Sequence, residues 1–192
     1  RSTKITDSYA TGSVSGTSNT GGLVGEAYSS TSITNSYATG SVTGTSYTGG
    51  LVGRAWVSTI IKDSYATGKV TGTSYTGGLV GEVYYESTIT NSYATGEVTG
   101  TEDDTGGLVG VANGSTKITN SYATGKVTGT SYTGGLVGKA YYESTITNSY
   151  ATGEVTGTED DTGGLVGVAN GSTKITNSYA TGKVTGTSYT GG

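Results

Sequence analysis

Ser36-Tyr37-Ala38-Thr39-Gly40-Ser41-Val42-Thr43-Gly44-Thr45 alternates residue by residue between two kinds of side chain. Small residues stand at Ser36, Ala38, Gly40, Val42 and Gly44, and hydroxyl-bearing ones at Tyr37, Thr39, Ser41, Thr43 and Thr45. A period of two is the signature of a strand with one face inward. The segment recurs along the chain, and the Ser41 slot carries Ser13, Lys69, Glu97, Lys126, Glu154 and Lys183 in the other copies. A slot that accepts both Lys and Glu faces water. That sets the phase: Tyr37, Thr39, Ser41, Thr43 and Thr45 point out, and the small residues point in. An interior lined with such small groups calls for two sheets lying close together, with Ile33, Leu51 and their equivalents supplying the larger side chains. The abundance of Thr, Val, Tyr, Ile and Gly disfavours helix and suits a pleated surface.

Ser-Tyr-Ala-Thr-Gly occurs with its Tyr at Tyr9, Tyr37, Tyr65, Tyr93, Tyr122, Tyr150 and Tyr179, spaced 28, 28, 28, 29, 28 and 29 residues apart. Gly-Leu-Val-Gly recurs six times, from Gly22-Leu23-Val24-Gly25 to Gly164-Leu165-Val166-Gly167. A fixed period of this length marks a stacked-repeat architecture. The units run near 5–32, 33–60, 61–88, 89–117, 118–145, 146–174 and, in part, 175–192, as one array. The 29-residue spacings arise where Glu102-Asp103-Asp104 and Glu159-Asp160-Asp161 replace a shorter Ser-Tyr stretch. An insertion that leaves the rest of the unit untouched belongs to a loop. A longer unit is superimposed, since residues 78–134 and 135–191 differ only at Glu82/Lys139 and Val83/Ala140.

One unit cannot bury its apolar face, whereas a stack can. From the third unit onward the outward slot reads Lys69, Glu97, Lys126, Glu154, Lys183. Stacked in register at ~4.8 Å, alternating signs attract where repeated signs would repel. Glu26, Arg54 and Glu82 alternate likewise, and Asn35, Asn91, Asn120, Asn148 and Asn177, with Asp7 and Asp63, form a polar column at a corner. The predicted fold is an all-β, right-handed parallel β-solenoid (β-helix) of about seven coils of 28–29 residues, right-handed by the general rule for parallel crossovers. Two coils of 14 per unit fit less well, because the halves of a unit do not resemble each other. After Gly-Leu-Val-Gly the variable slot again faces out, which sends Leu51, Gly53 and Ala55 inward. Val52 then points out unless a bulge at Gly53 resets the phase.

Gly-Gly-Leu-Val-Gly followed by Ile-x-Asn-Ser-Tyr-Ala-Thr-Gly-x-Val-x-Gly resembles the GLUG-motif repeat, over essentially the whole chain. Such repeats occur in large bacterial and archaeal surface and secreted proteins, including adhesins and some immunoglobulin-A-cleaving peptidases. The resemblance implies an extracellular or cell-surface location and a spacer or adhesive role, and it supplies no catalytic residues. The family often carries Cys before the Tyr; every copy here has Ser.

Composition narrows the function. With no Cys, His, Met, Phe or Pro, thiol or Ser–His–Asp catalysis, disulfides and ordinary zinc sites are excluded. Ten cations against fourteen acids, a net charge of −4, argue against nucleic acid as a partner, and no apolar run approaches the ~20 residues of a membrane span. No catalytic, metal or cofactor site is expected. The acidic triplets read as solvated charge rather than a calcium loop, and a thin solenoid offers no cleft for paired glycosidase carboxylates. The Tyr column, including Tyr37, Tyr65, Tyr93, Tyr122 and Tyr150, reads as a stabilising stack, with a glycan- or surface-binding strip as the alternative. Tyr28, Trp56, Tyr84, Tyr85, Tyr141 and Tyr142 fall on another face as a candidate lateral packing surface. Thr43/Thr45, Thr71/Thr73, Thr99/Thr101 and Thr128/Thr130 suggest a two-column Thr grid of the ice-binding kind, with Lys and Glu in the adjacent column against it. Asn113-Gly114-Ser115 and Asn170-Gly171-Ser172 match the glycosylation pattern and equally an Asn-Gly turn. The start at Arg1 is expected of a processed or excised segment, and uncapped ends would favour self-association end to end, or laterally, as in a fibre. The expected role is the shaft of a surface adhesin or fibre-forming protein.

Overall fold

The computed structural model describes residues 2–192 as a parallel β-solenoid of about seven coils. Each full coil contains five short strands, and each strand hydrogen-bonds its counterpart one repeat away. In coil 2 these are Ser32–Thr34, Tyr37–Ala38, Val42–Thr43, Ser46–Gly49 and Val52–Trp56. The resulting sheets wrap the core as five narrow faces; four have seven strands and one has six. The close pair of sheets expected from the small inward residues is therefore replaced by a five-sided tube. Strands of two to five residues turn too often to make two broad sheets. Pairing is parallel and in register throughout, as in Ile33↔Ile61, Tyr65↔Tyr93 and Val98↔Val127.

The interior consists of columns of identical residues. Ile33, Ile61, Ile89, Ile118 and Ile146 form one, Leu51, Leu79, Leu108 and Leu136 a second, and Ala38 to Ala151 a third, all with 0–1% exposure. The alternation read from Ser36 to Thr45 holds: Ser36, Ala38 and Val42 are buried, and Thr39, Ser41, Thr43 and Thr45 exposed. The phase left open at Val52 is settled by a break in the alternation that every coil shares. The N–H groups of Leu23 and Val24 both donate to the Leu51 carbonyl, each at 3.0 Å, and those of Leu51 and Val52 share the Leu79 carbonyl. The pairing stays one-to-one on either side, Val24↔Val52↔Val80 and Glu26↔Arg54↔Glu82, so every coil carries the same kink, and Leu51 and Val52 are both buried in the core.

Buried serines tie the coils together. Ser92 Oγ accepts the Ser64 N–H (3.2 Å) and donates to the Thr90 carbonyl (2.9 Å), and the same exchange links Ser36, Ser64, Ser121, Ser149 and Ser178. Ser92→Ala is expected to orphan the Ser64 N–H, while the Thr90 carbonyl keeps the Asp63 N–H (3.1 Å), and to cost about 1–3 kcal/mol. Urea unfolding checks this, and an unchanged midpoint would show that the serine file contributes nothing.

Three corners per coil use left-handed backbone. Asn35, Asn91, Asn120 and Asn148 have φ of 50–51°, and their side chains form the expected column: Asn91 Nδ2 donates to Asp63 Oδ1 (3.0 Å), Asn120 to Asn91 and Asn148 to Asn120 (3.2 Å each). The second corner comprises Asn19, Tyr47, Tyr75, Asp104, Tyr132, Asp161 and Tyr189. The third places two left-handed residues in succession, as at Val57-Ser58 and Tyr85-Glu86. A hydroxyl closes it by donating three residues back, as in Ser87 to Tyr84 O (2.7 Å) and Thr116 to Asn113 O (2.7 Å).

Candidate functional site

The seven tyrosines of the Ser-Tyr-Ala motif form one continuous stack. Ring centroids from Tyr9 to Tyr179 lie 4.8–5.3 Å apart with interplanar angles of 1–8°. That spacing is the strand separation of a sheet, so the register alone brings the rings into face contact. Burial by neighbouring rings raises the phenol pKa of Tyr93 and Tyr122. Each inner ring gives both faces to its neighbours, and ring edges are what the column presents to a ligand.

A second aromatic array covers the sheet of Val-Gly strands. Outward side chains here are covered by neighbouring aromatics, which makes a small second core outside the tube. Tyr28, Trp56 and Tyr84 pack edge to face, with centroids 5.7 and 5.8 Å apart. Arg54 lies between Tyr47 and Trp56, its guanidinium carbon 4.6 and 4.0 Å from their ring centres, and its Nε donates to Glu82 Oε2 at 2.6 Å. The side chains of Arg54 and Glu82 are 19% and 9% exposed. Two coils beyond Glu82, the Lys139 ammonium sits 4.5 Å from the Tyr132 ring centre and 5.5 Å from that of Tyr141. Between them coil 4 (88–116) substitutes Val111 and Asn113 for the charged and aromatic residues, and both are buried.

Asp104 completes this cluster. It is 6% exposed, and its Oδ1 is buried with no hydrogen-bond partner. Burial pushes its carboxyl up to about 6; Lys139 opposes the rise, while Asp103 and Glu82 add to it. The Tyr141 phenol is likewise pushed up to about 12, chiefly by burial and then by Glu82 and Asp104.

The reading of Glu102-Asp103-Asp104 as solvated loop charge is thus corrected at Asp104. The extra residue sits in the bend at Thr101-Glu102, where both N–H groups still bond the coil below. Glu102 and Asp103 are exposed; Glu102 accepts the Ser74 hydroxyl (3.0 Å), and Asp103 pairs in register with Ser131. Asp104 enters the slot that Tyr75 and Tyr132 fill. Counting back from Thr-Gly-Gly aligns Asn19, Tyr47, Tyr75 and Asp104 in one slot, and that alignment is the signal by which sequence could have found it.

The Thr columns divide at an edge. Thr43, Thr71, Thr99 and Thr128 stack in register on one sheet. Thr45 lies in the bend before the next sheet, and Thr73 follows it with its N–H on the Thr45 carbonyl. In coil 4 the inserted residue sets Glu102, not Thr101, against Thr73, and Thr130 resumes the column in coil 5 (117–144). The flat two-column grid expected from sequence is therefore folded along its length and interrupted. In the Lys/Glu column, Lys69–Glu97 (3.2 Å) and Lys126–Glu154 (3.8 Å) pair; the steps between them form no ion pair among the described residues. At half exposure such pairs stabilise little. Of the two sequons, Asn113 is 9% exposed and Asn170 exposed.

These features define a repeat β-solenoid whose side chains find their partners along the axis. A family model described as "The GLUG motif" matches residues 16–43, 44–71, 72–99, 104–128, 129–156 and 161–185. The chain belongs to the GLUG-motif family. A comparison with curated proteins finds no match.

Proposed function

We propose that this chain is a non-enzymatic structural segment outside the cell, the repeat shaft of a surface adhesin or fibre-forming protein. The observation that carries the reading is the uniform register: all five sheets pair coil to coil, so each unit's partner is the next unit. Such a stack lengthens by ~4.8 Å per coil at constant cross-section, which is what a spacer requires. The occurrence of similar repeats in surface and secreted proteins supports the extracellular placement. No helix is long and apolar enough to cross a membrane among the described residues. The Tyr column supports the shaft over a glycan strip, because a sugar stacks on a ring face and these faces are occupied by other rings.

Inserting further copies of residues 78–134 tests the reading. Each copy adds two coils, so the maximum dimension in small-angle scattering should grow by roughly 10 Å per copy without loss of melting temperature. A glycan array probed with the same proteins should show no saturable binding. A particle that widens instead of lengthening, or a glycan ligand lost on Tyr93→Ala with Tyr122→Ala, would overturn it.

A further inference from the structure

We propose that the groove formed by Tyr85, Glu86, Gly114, Ser115, Tyr142 and Glu143 binds an organic cation, an ammonium or guanidinium group. It runs along the corner made by paired left-handed residues: Tyr85-Glu86 (φ 49° and 56°), Gly114-Ser115 (66° and 57°) and Tyr142-Glu143 (52° and 64°). Tyr85 and Tyr142 hold equivalent positions two coils apart, about 9.6 Å along the axis, and are 52% and 63% exposed. In the coil between them Gly114 has no side chain; an added Cβ would lie 3.3 Å from the Tyr85 Cα and 3.4 Å from its ring. Gly114, with Gly171 at the equivalent place beyond Tyr142, leaves a groove of about 470 Å³ along the two rings. Unlike the stacked column, these tyrosines are not sandwiched by copies of themselves. Each is braced from its own strand: Tyr84 against Tyr85 at 5.9 Å and Tyr141 against Tyr142 at 4.8 Å.

Charge selects the ligand. Both Glu86 and Glu143 line the groove. Glu143 accepts the Ser115 hydroxyl at 3.2 Å, and neither glutamate forms an ion pair among the described residues. Lys117 borders an adjoining hollow with Glu86 and Ser115 and pairs with neither glutamate. Two aromatic rings attract a cation through their quadrupoles, and two carboxylates without an ion-pair partner add a Coulomb attraction that a neutral sugar cannot use and an anion opposes. The Tyr-Glu/Gly-Ser alternation follows the 57-residue unit and continues at Gly171-Ser172.

The test uses the intact chain, with choline, arginine amide and the uncharged carbon isostere of choline (dimethylbutanol) as probes, read by calorimetry and by the tyrosine ring resonances. Choline or arginine amide should bind about tenfold more tightly than the isostere. A preference for arginine amide points to a side chain of a protein partner, and a preference for choline to a small quaternary ammonium. Tyr85→Gly with Tyr142→Gly, and separately Glu86→Ser with Glu143→Ser, install residues that neighbouring coils already carry at this corner, so the fold is retained, as circular dichroism would check. Each pair should abolish binding. Equal binding of choline and its isostere, no saturable binding of either cation, or binding that survives both pairs would overturn the proposal.

Discussion

Gly125→Ala should destroy cooperative folding of the stack, although it adds only one methyl group. A Cβ at Gly125 would run into the carbonyl oxygen and carbon of Gly96 and the Thr95 carbonyl in the coil beneath. The same contact recurs at Gly40, Gly68, Gly96, Gly153 and Gly182, in each case against the backbone of the preceding coil. Gly125 is not in the left-handed region, so the glycine serves close approach of one coil to the next. Two backbones at sheet spacing cannot admit a methyl between them. Opening the gap would break flanking bonds such as Thr124 N–H to Ala94 O (3.1 Å) and Val98 N–H to Lys126 O (2.9 Å). The cost should exceed about 4 kcal/mol. Gly12 occupies the same slot in the first coil, where nothing lies within 4 Å of an added Cβ. Gly12→Ala should therefore shift stability by less than about 1 kcal/mol. Thermal and urea unfolding of the two variants decide the matter, and a cooperative, near-normal melt of Gly125→Ala would refute the contact argument.

Asp104→Asn should stabilise the protein at pH 7 and flatten its dependence on pH. The carboxyl titrates near 3.8 when free and at about 6 in the fold, mainly because it is buried. The folded chain thus holds a proton that the unfolded chain has released between those values. The resulting stabilisation is complete below pH 3.8 and is lost as the pH rises through about 6. At pH 7 the folded protein carries a buried carboxylate at a cost on the order of 2–3 kcal/mol. The groups around it are Lys139, which lowers the cost, and Asp103 and Glu82, which raise it. Asparagine fits the slot, since Asn19 adopts the same left-handed geometry there (φ 48° against 62° at Asp104). Urea midpoints from pH 4 to pH 7.5 should fall in the parent and change less in the variant. Lys139→Ala should steepen the parent's slope. Equal slopes in the parent and Asp104→Asn would remove the carboxyl from the account.

Much of this architecture was legible in the residue order because a parallel stack places each residue beside its own counterpart one repeat away. Aligning the repeats therefore lists the contacts: Tyr65 with Tyr93, Asn91 with Asn120, Lys69 with Glu97. Burial of Ser36, Ala38 and Val42 followed from strand alternation, with the exposed Lys/Glu slot at Ser41 setting the phase; the same rule failed after Gly-Leu-Val-Gly, where aromatics from neighbouring slots cover Glu82.

What the repeat alignment could not reveal is the path of the chain around a single coil. Whether a backbone turns left-handed is set by closure of the tube and by the hydrogen bonds of the coils on either side. Residue type alone would not assign φ of 55° to Val57 or 49° to Tyr85. Those corners divide the coil into five faces, separate Thr43 from Thr45 and carry Asp104 from an acidic triplet into an aromatic cluster. They also open the groove between Tyr85 and Tyr142. The period, the register and the vertical columns thus belong to the sequence by itself, because they rest on comparing like with like. The corners and the buried charge belong to the tertiary structure, because they depend on how unlike residues of one coil meet around the axis.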